Sequence, residues 1–221
     1  MHNKWKQSDD MATFFNNNVA NYERLHLKYI DGGLKSKRII ADFVPEGTKQ
    51  ILDLGIGTGL ELKYIFKKFP DVKIIGIDIS KGMLTGLKKR YPNKSIKVKV
   101  ANYFEFNFPK NTYPVIISSM SLHHFLFDDK VRLYKKIYNS LKNGGTFINC
   151  DFIINDSKKE KKYVKEYLKI KEKLSSEKGM IHLDIPLTLN NELKVLRKAG
   201  FKIINIPYNL PKTKLIRCVK V

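Results

Sequence analysis

Residues 51–62 read ILDLGIGTGLEL. An apolar run is followed by three glycines at alternate positions, Gly55, Gly57 and Gly59, and then by an amphipathic segment. Glycine reaches positive φ without steric cost and lets backbone approach a ligand closely. A glycine turn between a strand and a helix therefore marks the first unit of an open parallel sheet that holds a nucleotide-bearing ligand. The rest of the chain fits that start. Strand-like runs QILDL, VKIIGID, SIKVKV, YPVIISSM and TFINCDFII alternate with the helical patterns GLELKYIFKKF, KGMLTGLKKRY and DKVRLYKKIYNSLK. The last of these helices is expected to stop at Gly144–Gly145. Such alternation builds right-handed βαβ units. NNELKVLRKAG then reads as a helix, and FKIINIPYN and KLIRCVKV as an antiparallel hairpin. The expected fold is α/β, a Rossmann-like seven-stranded, mostly parallel sheet with helices on both faces and a C-terminal antiparallel hairpin.

With neither repeat nor linker, residues 1–221 read as one domain. Residues 1–45 form a helical lid ending at Pro45, 46–155 the ligand-binding core, 156–188 a helical cap and 189–221 the last helix and hairpin. The segment 156–178 is heavily charged but keeps Tyr163, Tyr167, Ile170 and Leu174 at helical spacing. It reads equally as a solvated helix or as a cap over a substrate. Phe14, Phe15 and Tyr22 either close the lid or simply pack on the core.

The glycine spacing separates the ligand classes. A dinucleotide turn needs G-x-G-x-x-G and a triphosphate loop ends in G-K-[ST]; here the pattern is G-x-G-x-G with no lysine. Asp53, inside the first strand, would repel a diphosphate and suits a cationic ligand. S-adenosylmethionine carries both an ammonium and a sulfonium. Asp78, at the tip of the second strand, is placed to accept hydrogen bonds from two ribose hydroxyls. Ser80 can cap the following helix and leave Asp78 free. Ile79 and Met83 are placed to sandwich an adenine ring.

The net charge of +21 raises nucleic acid as a partner. Yet there are 36 Lys against 6 Arg, spread along the chain, and bidentate phosphate recognition leans on arginine. A bias toward Lys, Asn and Ile together accounts for the charge, so nucleic acid is not favoured. No apolar run is long enough to span a membrane, and the N-terminus lacks a signal core; a cytoplasmic protein with no membrane partner is expected. Cys150 and Cys218 show no metal-ligand spacing and read as buried free thiols. No metal is expected.

At ILDLGIGTG, IIGIDIS, YPVIISSMSLHHF and LKNGGTFINCDF the chain resembles the class I S-adenosylmethionine-dependent methyltransferases. It is similar above all to small bacterial members of unassigned substrate. Their "FF…YD", "SLHHF" and "D-x-P-L-T" segments correspond to Phe14-Phe15, Tyr22-Glu23, residues 121–125 and residues 184–188. Asn143 stands where relatives have proline, and Ile56 where they have a small residue or Cys. The resemblance implies S-adenosyl-L-methionine as cofactor and S-adenosyl-L-homocysteine as product. It implies cofactor contacts from Tyr22, Asp53, Gly55, Gly57, Thr58, Gly59, Asp78, Ile79, Met83, Asn102, Tyr103 and Ser118, with the Asn102 amide oxygen accepting from the adenine amino group. The implied reaction is an in-line methyl transfer to a small-molecule acceptor. Two alternatives stay open: a tRNA methyltransferase using the basic surface, and a non-catalytic module that binds the cofactor. A general base is needed only where the acceptor holds its proton tightly. His123, after the fourth strand, is the candidate. Asp151, His182 and Asp184 are candidates for the acceptor pocket, and His26 reads as a helix-surface residue.

Overall fold

The computed structural model describes residues 10–173 and 180–221, apart from the side chains of residues 25, 26, 29, 203 and 204. Two of the sequence expectations, those for His26 and Leu174, lie outside the described residues. Two helices, α1 (Met11–Tyr29) and α2 (Gly33–Asp42), lead into β1 (Gln50–Leu54), α3 (Leu62–Lys68), β2 (Lys73–Asp78), α4 (Lys81–Arg90) and β3 (Ile96–Val100). Then come β4 (Tyr113–Ser119), a 3₁₀ turn at Leu122–His124, α5 (Phe127–Ser140) and β5 (Leu141–Phe152). α6 (Ser157–Lys173), α7 (Leu189–Lys198), β6 (Lys202–Asn209) and β7 (Thr213–Val219) complete the chain.

The seven strands form one sheet in the order β3-β2-β1-β4-β5-β7-β6. β1 to β5 are parallel, and β7 runs antiparallel between β5 and β6. The hairpin partners thus take the end of the sheet in reverse order: the last strand inserts beside β5. Successive apolar residues of the central strands serve opposite faces. Ile51, Ile74, Val115, Ile117 and Ile148 pack with α2, α3 and α4, whereas Leu52, Leu54, Ile77, Ile116 and Phe147 pack with α5 and α7. Strands covered on both sides read as continuous apolar runs, which is why they stand out in the sequence. Ile56 lies directly over Gly76 of β2, where a Cβ would come within 2.5 Å of its side chain. That glycine makes room for the bulky residue at position 56.

One expectation shifts. α5 ends at Ser140, before the glycine pair, because buried Leu141 already pairs with Tyr113 in extended form. Gly144, at φ 75°, turns the chain within β5 instead. α6 buries no residue and sits at the edge of the fold, touching Phe152 through Tyr163 and the start of α7 through Glu160.

The chain leaves β1 toward β2 and β3, then returns to the other side of β1 as β4. This reversal opens a crevice at the carboxyl ends of β1 and β4, the place where open α/β sheets bind ligands.

Candidate functional site

A cleft enclosing roughly 520 Å³, its mouth included, lies at that crevice. The glycine turn forms its floor. Gly55 N–H and Ile56 N–H donate to Ile77 O (2.8 and 3.2 Å), tying the turn to β2. Gly55 has φ 75°, and a Cβ there would fall 2.1 Å from Ser121 Oγ; Gly57 has φ 51° and faces open space, with Gly55 O the nearest atom to a Cβ at 3.9 Å. Asp78 closes one side. Its Oδ2 accepts from Gly57 N–H and its Oδ1 from Ser80 N–H, both at 2.8 Å. Each carboxylate oxygen keeps one further acceptor site. Burial pushes the Asp78 carboxyl up to about 6, against those two hydrogen bonds. Ser80 Oγ accepts from Met83 N–H (3.1 Å) and caps α4, leaving Asp78 to the cleft.

Of the twelve residues the sequence assigns to the cofactor, Tyr22, Gly55, Gly57, Asp78, Ile79, Met83, Asn102 and Tyr103 line this cleft. Asn102 Oδ1 already accepts from Phe104 N–H (3.0 Å), and the Tyr103 hydroxyl bonds Ser121 Oγ (2.7 Å). The other four do not reach the cleft wall. Ser118 is buried in β4, its hydroxyl donating to Leu54 O. Thr58 is buried, its carbonyl bound by Arg90, and Gly59 packs toward Leu87 and Tyr91. Asp53 is buried beneath the turn with no hydrogen-bond donor at either oxygen. Burial and the neighbouring Glu61 carboxyl raise it well above the ordinary carboxylate range, with Lys37 pulling the other way. Lys37, from α2, is itself buried and donates to Ser119 Oγ (2.7 Å), with Glu61 3.9 Å away. Two carboxyls share one lysine, and burial favours a proton held by the pair.

α1 roofs the cleft. Asn16 Oδ1 accepts from Gly82 N–H (2.9 Å) and lies 2.8 Å from Ser80 Oγ; Glu23 pairs with Arg90 (2.6 Å) at the far end of α4. The roof is also stitched to the segment before α7, where Met11 N–H donates to Met180 O (2.6 Å) and Asp10 bridges Ile181. Phe14 is buried and stacks on His182 with ring centres 3.6 Å apart. Phe15 and Tyr22 face the cleft with Met11, Met120 and Met180. Four of the five methionines of the chain line this one cavity, giving it a soft, adaptable wall. Met120 sits at φ 53°, a strained conformation for its type, where the chain leaves β4.

The histidine pair is arranged differently from the sequence expectation. His123 is flanked by two carboxylates: Nδ1 is 2.6 Å from Asp151 Oδ1 and Nε2 is 3.3 Å from Asp184 Oδ1. Burial alone would depress this imidazole, but Asp151 and Asp184 outweigh it and push it up to about 9. A histidine held as a cation, with both nitrogens occupied, has no lone pair for a substrate proton, so the geometry argues against His123 as a base. His124 is the one on the cleft wall. Burial and the neighbouring His123 and His182 push it down to about 3, and its Nδ1 lies 3.1 Å from Leu183 O. Asp184 is held far below the carboxylate range by His123 against burial. Sequence reasoning weighed the two adjacent histidines and chose His123 over His124, and it missed Lys37, Glu61, Asn16 and Arg90. Only the adjacent histidines gave a signal, and which one faces the cleft depends on the 3₁₀ turn.

No helix of the described residues is long and apolar enough to cross a membrane. The family model described as a methyltransferase domain matches residues 51–145. Carboxy-S-adenosyl-L-methionine synthase of Nautilia profundicola is 27% identical over 179 residues, covering 77% of this chain and 76% of that protein. Phosphoethanolamine N-methyltransferase of Plasmodium falciparum is 29% identical over 140 residues, covering 62% of this chain and 52% of that protein. Among solved structures, an S-adenosylmethionine-dependent methyltransferase from Mesorhizobium loti superimposes with a TM-score of 0.63 at 18% identity. That match covers 85% of this chain and all of the other, and it speaks to the fold.

Proposed function

The chain belongs to the class I S-adenosylmethionine-dependent methyltransferases, and from that premise we propose that it methylates a small molecule held in the cleft under α1. The methyl donor is S-adenosylmethionine. When bound, it supplies a methyl group already activated on a sulfonium. The cleft fits it on three counts. Gly57 leaves open space on the floor. Asp78 has acceptor capacity to spare on both oxygens. Asp53 and Glu61 form a buried carboxyl pair beneath the glycine turn, both raised by burial, and a cation seated on the turn would draw out the proton they hold.

In this reading Asp78 holds the ribose diol, and Ile79 and Met83 flank the adenine. Asn102 presents its amide beside that ring, and the glycine turn lies under the methionyl portion. The acceptor enters between the roof residues Phe15 and Tyr22 and the wall formed by Met180 and His124. An apolar, closed site favours a reaction in which positive charge disperses at sulfur. His124, neutral with Nδ1–H toward Leu183 O, offers Nε2 as a hydrogen-bond acceptor that can position a nucleophile. Its depressed basicity suits an acceptor that loses its proton readily.

The observation that carries the small-molecule reading is the roof: α1 and the segment around Met180, stitched together by the Met11 N–H to Met180 O hydrogen bond, close over the acceptor end of the cleft. The names of two relatives, one a phosphoethanolamine methyltransferase and one making a derivative of the cofactor, also point to small molecules. The enzyme would work in the cytoplasm. Calorimetry should show S-adenosylmethionine and S-adenosylhomocysteine binding with NAD silent. Incubation with methyl-labelled cofactor and a cell extract should place label in the low-molecular-weight fraction. Binding without any transfer would leave a cofactor-binding module.

A further inference from the structure

We propose that His123, His124 and Asp184 form a site for one divalent transition ion on the cleft wall beside α1. These three side chains come from a 3₁₀ turn after β4 and from the extended segment before α7, about sixty residues apart in sequence. One donor atom from each lies within 4.8 Å of the other two. Both imidazoles converge on the same oxygen: His123 Nε2 is 3.3 Å and His124 Nδ1 3.6 Å from Asp184 Oδ1. These separations lie at or beyond the long end of hydrogen bonds, and an ion binding here would displace the proton on His123 Nε2. The separations match the edges of a tetrahedron, because bonds of about 2.0–2.2 Å to a central ion set donors roughly 3.4 Å apart.

The donor chemistry agrees. Two imidazoles and one carboxylate suit Zn²⁺, Co²⁺ or Fe²⁺, and three protein ligands leave a coordination position open. The outer support is also in place. Asp151 Oδ1 lies 2.6 Å from His123 Nδ1 and accepts from Phe152 N–H at 2.9 Å. A carboxylate fixing the far nitrogen of a ligating histidine is the usual way to aim the near one at an ion. The histidines are buried, and Asp184 is one-third exposed, giving a path for entry. His124 Nδ1 now faces Leu183 O; an ion would take the place of the proton between them. The open position suits a ligand that offers an oxygen, nitrogen or sulfur donor from the cleft.

The test uses the full-length protein without an affinity tag, stripped with a chelator and titrated with Co²⁺. One equivalent of Co²⁺ per chain should give visible d–d bands of low coordination number, lost on adding Zn²⁺. Asp184→Asn should weaken Co²⁺ at least tenfold, and Asp151→Asn by about 10- to 100-fold. Circular dichroism checks folding of each variant, and His124→Asn replaces any that does not fold. S-adenosylhomocysteine affinity is measured on the same samples, so Co²⁺ binding without cofactor binding would sink the methyltransferase reading and leave this one standing. Absence of bands, or bands untouched by both Asp184→Asn and His124→Asn, would overturn the proposal and leave the cluster as an internal ion-pair network.

Discussion

Asp78 shows how a single side chain can tie the fold to the proposed ligand. The sequence places it at the tip of β2, and the structure surrounds it with two backbone N–H donors while burying it. Burial wins, and the carboxyl rises to about 6. The sign follows. Its folded pKa lies above the unfolded value, so its contribution to stability is present in acid and is lost as pH rises through about 6. A ribose diol donates two hydrogen bonds and therefore prefers the ionised form, which dominates above that pH. S-adenosylhomocysteine should bind with constant affinity above pH 7 and weaken about tenfold per unit below 6. In Asp78→Asn that dependence should vanish, with affinity lower by about one to two orders of magnitude across the range. A wild-type profile that stays flat down to pH 5 would remove Asp78 from the ribose. Positions such as Gly57 and Asp78 could be read because local spacing alone determines their place. Lys37 could not, since its partner Ser119 is 82 residues away and a buried lysine leaves no periodic signature.

Elements were readable where one face is apolar, and their ends were less so. α5 stops short of its glycines because sheet pairing at Leu141 overrides the local signal. The packing of α5 on α7 involves more than its apolar stripe. Lys130 Nζ donates to Glu192 Oε2 at 2.7 Å, the Tyr134 hydroxyl donates to Glu192 Oε1, and Asn149 of β5 lies beside them; Lys130 and Glu192 are both fully buried. Asp151 is held below the carboxylate range against burial by His123, with Lys130 contributing, so this core network borders the histidine cluster. Removing the lysine alone leaves a carboxylate in the core without its cation. Lys130→Met should therefore cost about 3–5 kcal/mol, and lower the melting temperature by roughly 10 °C. Lys130→Met combined with Glu192→Gln should regain most of that loss, because the uncompensated charge is gone. Equal melting temperatures for the single and double variants would mean that the lysine acts through its packing and not its charge.

At the scale of the whole molecule the unexplained feature is the charge of +21. Part of it is structural: Lys37, Lys130, Lys214 and Lys220 are buried and bonded, the last two to backbone carbonyls among other partners. Nearly all the other described lysines are exposed, and charge of this size speaks to solubility and encounter with polyanions. The roofed cleft and the charged surface make opposite demands on the substrate. A tRNA would have to deliver a base past α1, and its phosphates would be gripped by lysines that release counterions. Such binding falls by about a thousandfold between 50 and 200 mM salt when six or more phosphates are contacted. Weak adventitious binding also falls with salt, so the slope does not separate the two cases. Transfer does. At about 150 mM salt, charges farther apart than roughly 8 Å are screened, and only a substrate seated in the cleft is methylated. The expected outcome is label in the small-molecule fraction and none in tRNA or rRNA from cells lacking the protein. Stoichiometric labelling of one tRNA position would instead mean that α1 swings aside, and that the lysines serve recognition.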